Sequence, residues 1–145
     1  MNAQTITNPE TKTALRRNDW VKIGLKTALF SIAAVLVVQV IARSIWPEIA
    51  LFKPLESYPR AALFTLVPAI GATVVFAWLA KRARQPVRSF IILSTVLLLL
   101  SFIPDYALPL EHKTFLASSV AAFMHLVAGV VTVTTLVTGY RKGVA

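Results

Sequence analysis

Four long runs of residues without a formal charge constrain the fold of this chain more than any other feature. They cover residues 27–42, 61–80, 89–104 and 114–140. A bilayer core of about 30 Å requires about 20 apolar residues in a helix, and lipid offers backbone groups no partner outside a helix or a closed barrel. The alternating pattern of barrel strands is absent from the sequence. The runs therefore predict helical membrane spans at about 23–46, 60–80, 87–103 and 114–139.

These spans predict an all-α fold, namely an antiparallel four-helix transmembrane bundle preceded by a polar cytoplasmic tail over residues 1–22. The first uncharged run is short, but Lys26 and Arg43 can extend along the helix to reach the headgroups. Proline interrupts the chain at Pro47 and Pro59, after the first span and before the second. Between these prolines lies a short apolar stretch, which we expect to form a helix in the membrane interface.

The composition indicates a surface that faces lipid. Only 14% of the 145 residues are charged and 57% are apolar, whereas about a quarter of the residues in a soluble domain are charged. The length fits one domain, and the sequence contains no cysteine, which excludes disulfides and thiolate metal sites. The net charge of +9 is divided into short clusters between the apolar runs. Such clusters are typical of span ends, so we expect no nucleic-acid partner.

The basic clusters fall on one side of the predicted bundle. That side comprises the tail, the link between the second and third spans, and the C-terminus, and its acidic residues are Glu10 and Asp19. Its basic residues are Lys12, Arg16, Arg17, Lys22, Lys26, Lys81, Arg82, Arg84, Arg88, Arg141 and Lys142. Acidic and basic residues balance on the opposite side. Because basic residues of short loops stay in the cytoplasm, we expect a plasma-membrane protein with both termini cytoplasmic.

His125 is an ionisable residue near the middle of a predicted span. At helical spacing it shares a face with small or weakly polar residues, namely Ser118, Ala121, Ala122, Ala128, Gly129 and Thr132. We therefore expect His125 to face the bundle interior, where small residues let another helix approach closely. Two interpretations of its role remain open. It is either a proton-accepting or ligand-orienting group, or a neutral histidine that hydrogen-bonds to another helix.

Other polar residues of the spans complete a candidate intramembrane site. Gln39 is predicted at a depth close to that of His125, and its amide both donates and accepts hydrogen bonds. Ser94 and Ser101 share one face of the third span with Asp105. Asp105 lies at the outer end of that span, roughly 10 Å from His125 by the helical rise, so we expect a water-linked path rather than a direct contact. The candidate site comprises His125, Gln39, Ser94, Ser101, Ser118 and Asp105.

The link between the second and third spans is a compact basic patch. Its side chains are candidates for contact with the phosphates of lipid headgroups, and they are Lys81, Arg82, Arg84 and Arg88. We expect no cofactor and no metal site. His112 belongs to the outer loop, and one internal histidine cannot form a bis-histidine haem site. The remaining His, Asp and Glu residues lack metal-ligand spacing.

The small size, the basic link after the second span and the segment Phe123-Met124-His125-Leu126-Val127-Ala128-Gly129 support a family resemblance. From about Asp19 onward, the chain resembles a bacterial family of four-span integral membrane proteins known only as a domain of unknown function. The resemblance implies a bacterial plasma-membrane protein and carries no activity. Small multidrug exporters are similar in size, but they rely on a glutamate in the first span, where this chain has no acidic residue.

The leading functional hypothesis is a small plasma-membrane protein with a structural, accessory or partner-binding role. Its polar residues would then form a seam that joins the helices. One alternative is a small oligomeric transporter or permease subunit with His125 as its protonatable site. A second alternative is a membrane enzyme that acts on a lipid or quinone-like substrate, but enzymatic activity is not favoured. The expected partners are the lipid bilayer and either further copies of the chain or a larger membrane protein.

The predicted orientation can be tested with reporter fusions. We expect a fluorescent protein at the C-terminus to be cytoplasmic, and alkaline phosphatase at the same position to be inactive because its disulfides form only outside the cytoplasm. Phosphatase fused in the outer loop after Glu111 is the control and should be active. An active phosphatase at the C-terminus would show that the bundle is inserted the other way round.

Overall fold

The computed structural model describes residues 15–145, and the part of the predicted tail before residue 15 lies outside them. The described residues form four long helices: α1 (Arg17–Ile45), α2 (Tyr58–Arg82), α3 (Pro86–Ala107) and α4 (Phe115–Val144). Each is long and apolar enough to cross a membrane, and residues 15–145 contain no strand. The prediction of an all-α fold with four membrane-compatible helices is therefore confirmed.

α1 begins at Arg17, so that residues 17–22, which were assigned to the tail, belong to the helix. Asp19 stabilises this start because its Oδ2 accepts a hydrogen bond of 3.1 Å from the backbone N–H of Arg16. An acidic side chain in the first turn also interacts favourably with the positive end of the helix dipole. Apolar patterning did not reveal these first turns because they are polar.

Proline opens two of the helices but does not close α3. Pro59 and Pro86 occupy the first turns of α2 and α3, where a backbone N–H would have no helical partner. Pro104 lies inside α3, which continues to Ala107, beyond the predicted end at residue 103. Proline is tolerated in membrane helices when neighbouring groups satisfy the freed backbone. The extra turn places Asp105 within the helix rather than in a loop.

The segment between α1 and α2 packs into one end of the bundle, and its position in the membrane interface remains a prediction. It forms two short 3₁₀ helices, Pro47–Leu51 and Lys53–Leu55. Ile49, Phe52 and Leu55 are at most 2% exposed and join a core that also contains Val35 and Met124. Burying three large apolar side chains is worth about 1.5–3 kcal/mol each where the alternative is water. The segment therefore fills this end of the bundle, which we call the 3₁₀ end.

Each helix packs mainly against two others, in the order α1, α2, α3, α4 around the bundle. At the end opposite the 3₁₀ helices, each of the four contributes one aromatic ring to a second core, the aromatic cluster of Trp20, Phe76, Phe90 and Tyr140. The rings of Phe76 and Phe90 stack with centroids 4.4 Å apart. Aromatic pairs of this kind contribute about 0.5–1.5 kcal/mol beyond the area they bury.

α3 is the least covered helix of the bundle. Only 6% of the residues in an apolar 18-residue stretch of α3 are buried, compared with 33% in the corresponding stretch of α1. Its exposed side chains are large and apolar, including Ile92, Leu97, Leu99 and Ile103. This surface is suited to lipid or to another membrane protein.

Gly24 allows α1 to approach α2 closely. A Cβ at Gly24 would lie 2.8 Å from Cγ2 of Thr73, and the Thr73 hydroxyl is held by a 2.8 Å hydrogen bond to the carbonyl of Ala69. We expect Gly24→Ala to lower the free energy of unfolding in detergent by about 1–3 kcal/mol, the usual cost of overpacking. Gly71→Ala is the matched control, because a Cβ at Gly71 meets nothing within 4 Å. Equal unfolding midpoints for the two variants would contradict the close approach.

Candidate functional site

The structure brings the carboxylate of Asp105 and the imidazole of His125 together. Oδ2 of Asp105, near the end of α3, lies 3.4 Å from Nε2 of His125 on α4. This is an ion-pair distance, yet Oδ2 is buried and accepts no hydrogen bond from any residue of the described part. The expectation that the two residues would not be in direct contact is therefore wrong.

The direction in which helical side chains lean explains the contact. Each Cα–Cβ bond tilts toward the N-terminus of its own helix. His125 therefore leans back along α4 toward Phe115, the end that lies beside Asp105. Asp105 leans back along α3, toward the level of His125. The helical rise measures only the separation of the two backbones, about 10 Å, and both side chains extend into that interval.

Two side chains hold the end of α3, namely Ser118 on α4 and Lys113 in the loop before it. The carbonyl of Asp105 has no helical donor at the residue four positions on, because Pro109 lacks an N–H. Ser118 replaces that donor with a hydrogen bond of 2.7 Å from its Oγ. Nζ of Lys113 donates to the carbonyls of Tyr106 and Leu108 at 2.6 and 3.1 Å, which also places a positive charge at the negative end of the α3 dipole.

The two members of the pair differ in exposure. The side chain of Asp105 is 9% exposed and that of His125 is 45% exposed. The prediction that His125 faces the bundle interior is thus wrong for the single chain, although Ser118, Ala121 and Ala122 on the same face are buried. The imidazole is longer than these neighbours and reaches past them to the acid. The pair has a covered carboxylate and an accessible ring.

Gln39 does not reach His125. It is fully buried, and its Nε2 donates a 3.0 Å hydrogen bond to the carbonyl of Leu55 in the second 3₁₀ helix. Its Oε1 accepts no hydrogen bond within residues 15–145. The depth estimate is consistent with the structure, since the contacts of Ser31 with Thr132 and of Ile23 with Gly139 place Gln39 at about the level of residue 124. The two side chains do not meet because Gln39 points into the core, to Leu55, whereas His125 is exposed.

The predicted polar seam is not continuous. Ser118 joins α3 to α4, but Oγ of Ser101 donates to the carbonyl of Leu98 in its own helix at 2.7 Å. Ser94 is half-buried and its hydroxyl makes no hydrogen bond to the residues that the structure describes. A seam of hydrogen bonds between helices therefore does not explain why Ser94 and Ser101 lie in this span.

Sequence reasoning missed a hydrogen bond between α1 and α4. The hydroxyls of Ser31 and Thr132 are 2.9 Å apart, and Ser31 is fully buried. Both residues lie near the middle of long helices, so a search for hydroxyl pairs at matched depth, with the helix start placed at Arg17, would have found them. This bond joins the two helices near their centres.

No group of three or more His, Asp or Glu residues that could hold a metal ion occurs among residues 15–145. The predicted headgroup contacts Lys81, Arg82, Arg84 and Arg88 are all exposed. None of them lies within salt-bridge distance of an acidic residue in the described part of the chain. Their contact with lipid phosphates remains a prediction.

Comparison with known proteins adds a family but no activity. Residues 15–142 match the model of a family of unknown function, DUF6069. No curated protein matches the chain. No solved structure matches it either.

The contact between Asp105 and His125 should appear as an energetic coupling. We expect a double-mutant cycle with Asp105→Asn and His125→Gln to give a coupling energy of about 0.5–2 kcal/mol for unfolding in detergent, the range for contacting residues and for polar contacts in membranes. The control cycle pairs His125→Gln with Thr95→Ala, because Thr95 is exposed and bonds only within α3. Additive effects of the Asp105 and His125 substitutions would contradict the contact.

Proposed function

This chain belongs to DUF6069, a family of unknown function, and we propose that it is a small oligomeric transporter or permease subunit whose proton site is the Asp105–His125 pair. Its four apolar helices make it a membrane protein. The observation that supports the specific proposal is the 3.4 Å separation between the carboxylate and the imidazole.

A carboxylate beside an imidazole can hold one proton in two ways. Either the imidazolium faces the carboxylate, or the neutral ring faces the carboxylic acid, and both arrangements have no net charge. Loss of the proton leaves a single negative charge, which is costly in a membrane. Binding and release of the proton therefore change the charge of the site and favour different surroundings.

The exposure of the two side chains in the single chain favours a route in which the proton reaches Asp105 through His125, from a face that another subunit covers. The ring of His125 is the accessible member, and the carboxylate of Asp105 is covered. Oδ2 of Asp105 accepts no hydrogen bond from residues 15–145, so it can accept one from a protonated Nε2. A small rotation of the ring would shorten the 3.4 Å contact to hydrogen-bond length.

A structural role, favoured from the sequence, explains the site less well. The end of α3 is already held by Ser118 and by Lys113, neither of which involves the carboxylate of Asp105. A residue that only joins helices would be hydrogen-bonded and covered, whereas His125 is 45% exposed. Intramembrane ionisable groups are rare and usually functional.

We further propose that transport requires further copies or a larger membrane partner. The aromatic cluster fills one end of the bundle, with Phe76 and Phe90 at most 1% exposed. A solute path through a single chain would have to displace this cluster. The uncovered α3 and the exposed ring of His125 instead favour a path at an interface between subunits.

We propose the predicted antiparallel arrangement and orientation as well, in a bacterial plasma membrane. Residues early in α4 contact the end of α3, as Ser118 contacts Asp105. Residues later in α4 lie against earlier ones in α3, as Gly129 lies against Leu98. With the basic links cytoplasmic, the Asp105–His125 pair lies toward the outer half of the membrane and takes its proton from that side.

Proton entry into reconstituted vesicles tests the proposal. The purified protein is placed in vesicles that contain a pH-sensitive dye, and an inward proton gradient is applied with the membrane potential clamped. We expect faster acidification than in empty vesicles. His125→Ala, His125→Gln and Asp105→Asn should each lower the rate to that of empty vesicles, because each removes one member of the pair.

Thr95→Ala serves as the matched control and should retain the wild-type rate. Unfolding midpoints in detergent are measured for every variant. Unchanged proton entry in a folded His125→Gln variant would contradict the proposal. If the substitutions lower stability and no flux depends on them, the structural role is supported instead.

A further inference from the structure

A groove lies at the end of the bundle that carries the aromatic cluster, between the start of α3 and the last turns of α4. The groove has a volume of about 570 Å³ and is open to the outside. Its lining combines an apolar wall with polar and cationic groups, including Gln85, Arg88, Ile91, Ile92, Tyr140 and Arg141. Arg88 and Arg141 come from different helices, and the packing of α3 on α4 makes both of them line this groove.

The positive charge of this groove has no acidic partner in the described part of the chain. Neither Arg88 nor Arg141 lies within 4.0 Å of a carboxylate oxygen there. The contact of Arg88 within the groove is with a neutral group, since its NH1 donates to Oε1 of Gln85 at 3.5 Å. Guanidinium groups offer paired donors that match the oxygens of a phosphate.

The apolar wall indicates what carries the phosphate. Ile91 and Ile92 are 42% and 55% exposed, and they follow Arg88 by one turn along α3. The wall continues into the uncovered apolar surface of α3, of which only 6% is buried. A soluble phosphate compound would leave this wall without a partner, whereas an acyl chain would run along it.

We propose that the groove binds an anionic phospholipid, with its phosphate between Arg88 and Arg141 and an acyl chain along Ile91 and Ile92. Of the four predicted headgroup contacts, this site contains only Arg88, which lies in the first turn of α3. It adds Arg141 from α4. It does not depend on the Asp105–His125 pair, which lies toward the other ends of these two helices. Lys81 and Arg84 do not line the groove.

Lipid binding to the purified full chain in detergent tests the site. Titration with phosphatidylglycerol, phosphatidylcholine or inorganic phosphate is followed by native mass spectrometry and by thermal unfolding. We expect phosphatidylglycerol to bind and to raise the unfolding midpoint, with phosphatidylcholine and inorganic phosphate much weaker. The double variant Arg88→Gln/Arg141→Gln should lose affinity for phosphatidylglycerol by about 30-fold, since each basic residue at an anionic surface is worth about fivefold.

The matched control is Lys81→Gln/Arg84→Gln, which removes the same charge from the neighbouring link. It should change the affinity by less than about threefold, because these residues lie outside the groove. An equal loss in both double variants would overturn the site and indicate a general surface-charge effect. Equal binding of phosphatidylcholine would show that the headgroup charge is not recognised, and inorganic phosphate binding as tightly as the lipid would show a soluble ligand. Arg88 and Arg141 are exposed, so both variants should fold, and their helix content is checked by circular dichroism.

Discussion

The structure depends on one constraint, which is that the hydrocarbon core of a bilayer offers a polar group no hydrogen-bond partner. The helices satisfy their own backbones, and the hydroxyls of Thr27, Thr65 and Thr73 return to the carbonyl four residues earlier. At the end of α3, where Pro109 offers no donor, Ser118 replaces it for the carbonyl of Asp105. The buried Ser31 hydroxyl finds its partner on another helix, at Thr132. The polar groups that need an explanation are therefore the buried ones that have no hydrogen-bond partner.

Two buried side-chain acceptors within residues 15–145 have no hydrogen-bond partner, namely Oε1 of Gln39 and Oδ2 of Asp105. They differ in their surroundings. Gln39 is enclosed by the apolar core at the 3₁₀ end, and its amide N–H is already bonded to Leu55. Asp105 lies beside an ionisable ring that remains accessible. An unsatisfied acceptor next to a potential proton donor is a chemical site, whereas one in a closed core is a cost that packing elsewhere must offset.

The two ends of the bundle are built differently, and the difference is consistent with both proposals. The 3₁₀ end is filled by apolar side chains of the link between α1 and α2, and its charges compensate one another, as Arg60 and Glu56 do at 2.9 Å. The aromatic end is filled by one ring from each helix and carries exposed arginines and lysines. α3 connects the two, with Asp105 near its last turn and Arg88 in its first. The least covered helix thus takes part in both candidate sites.

The sequence by itself determined the number, type and approximate bounds of the membrane helices, because the cost of exposing backbone and charge to lipid acts on each segment separately. It also identified His125, Asp105 and Ser118 as polar residues that needed an explanation. Only the tertiary structure decided which of them meet. Side-chain direction brought Asp105 to His125 and turned Gln39 toward Leu55, and the packing of α3 on α4 placed Arg88 and Arg141 in one groove. These outcomes depend on the relative position and rotation of whole helices. Many weak apolar contacts, spread along all four helices, together determine that position and rotation, so no single stretch of sequence encodes them.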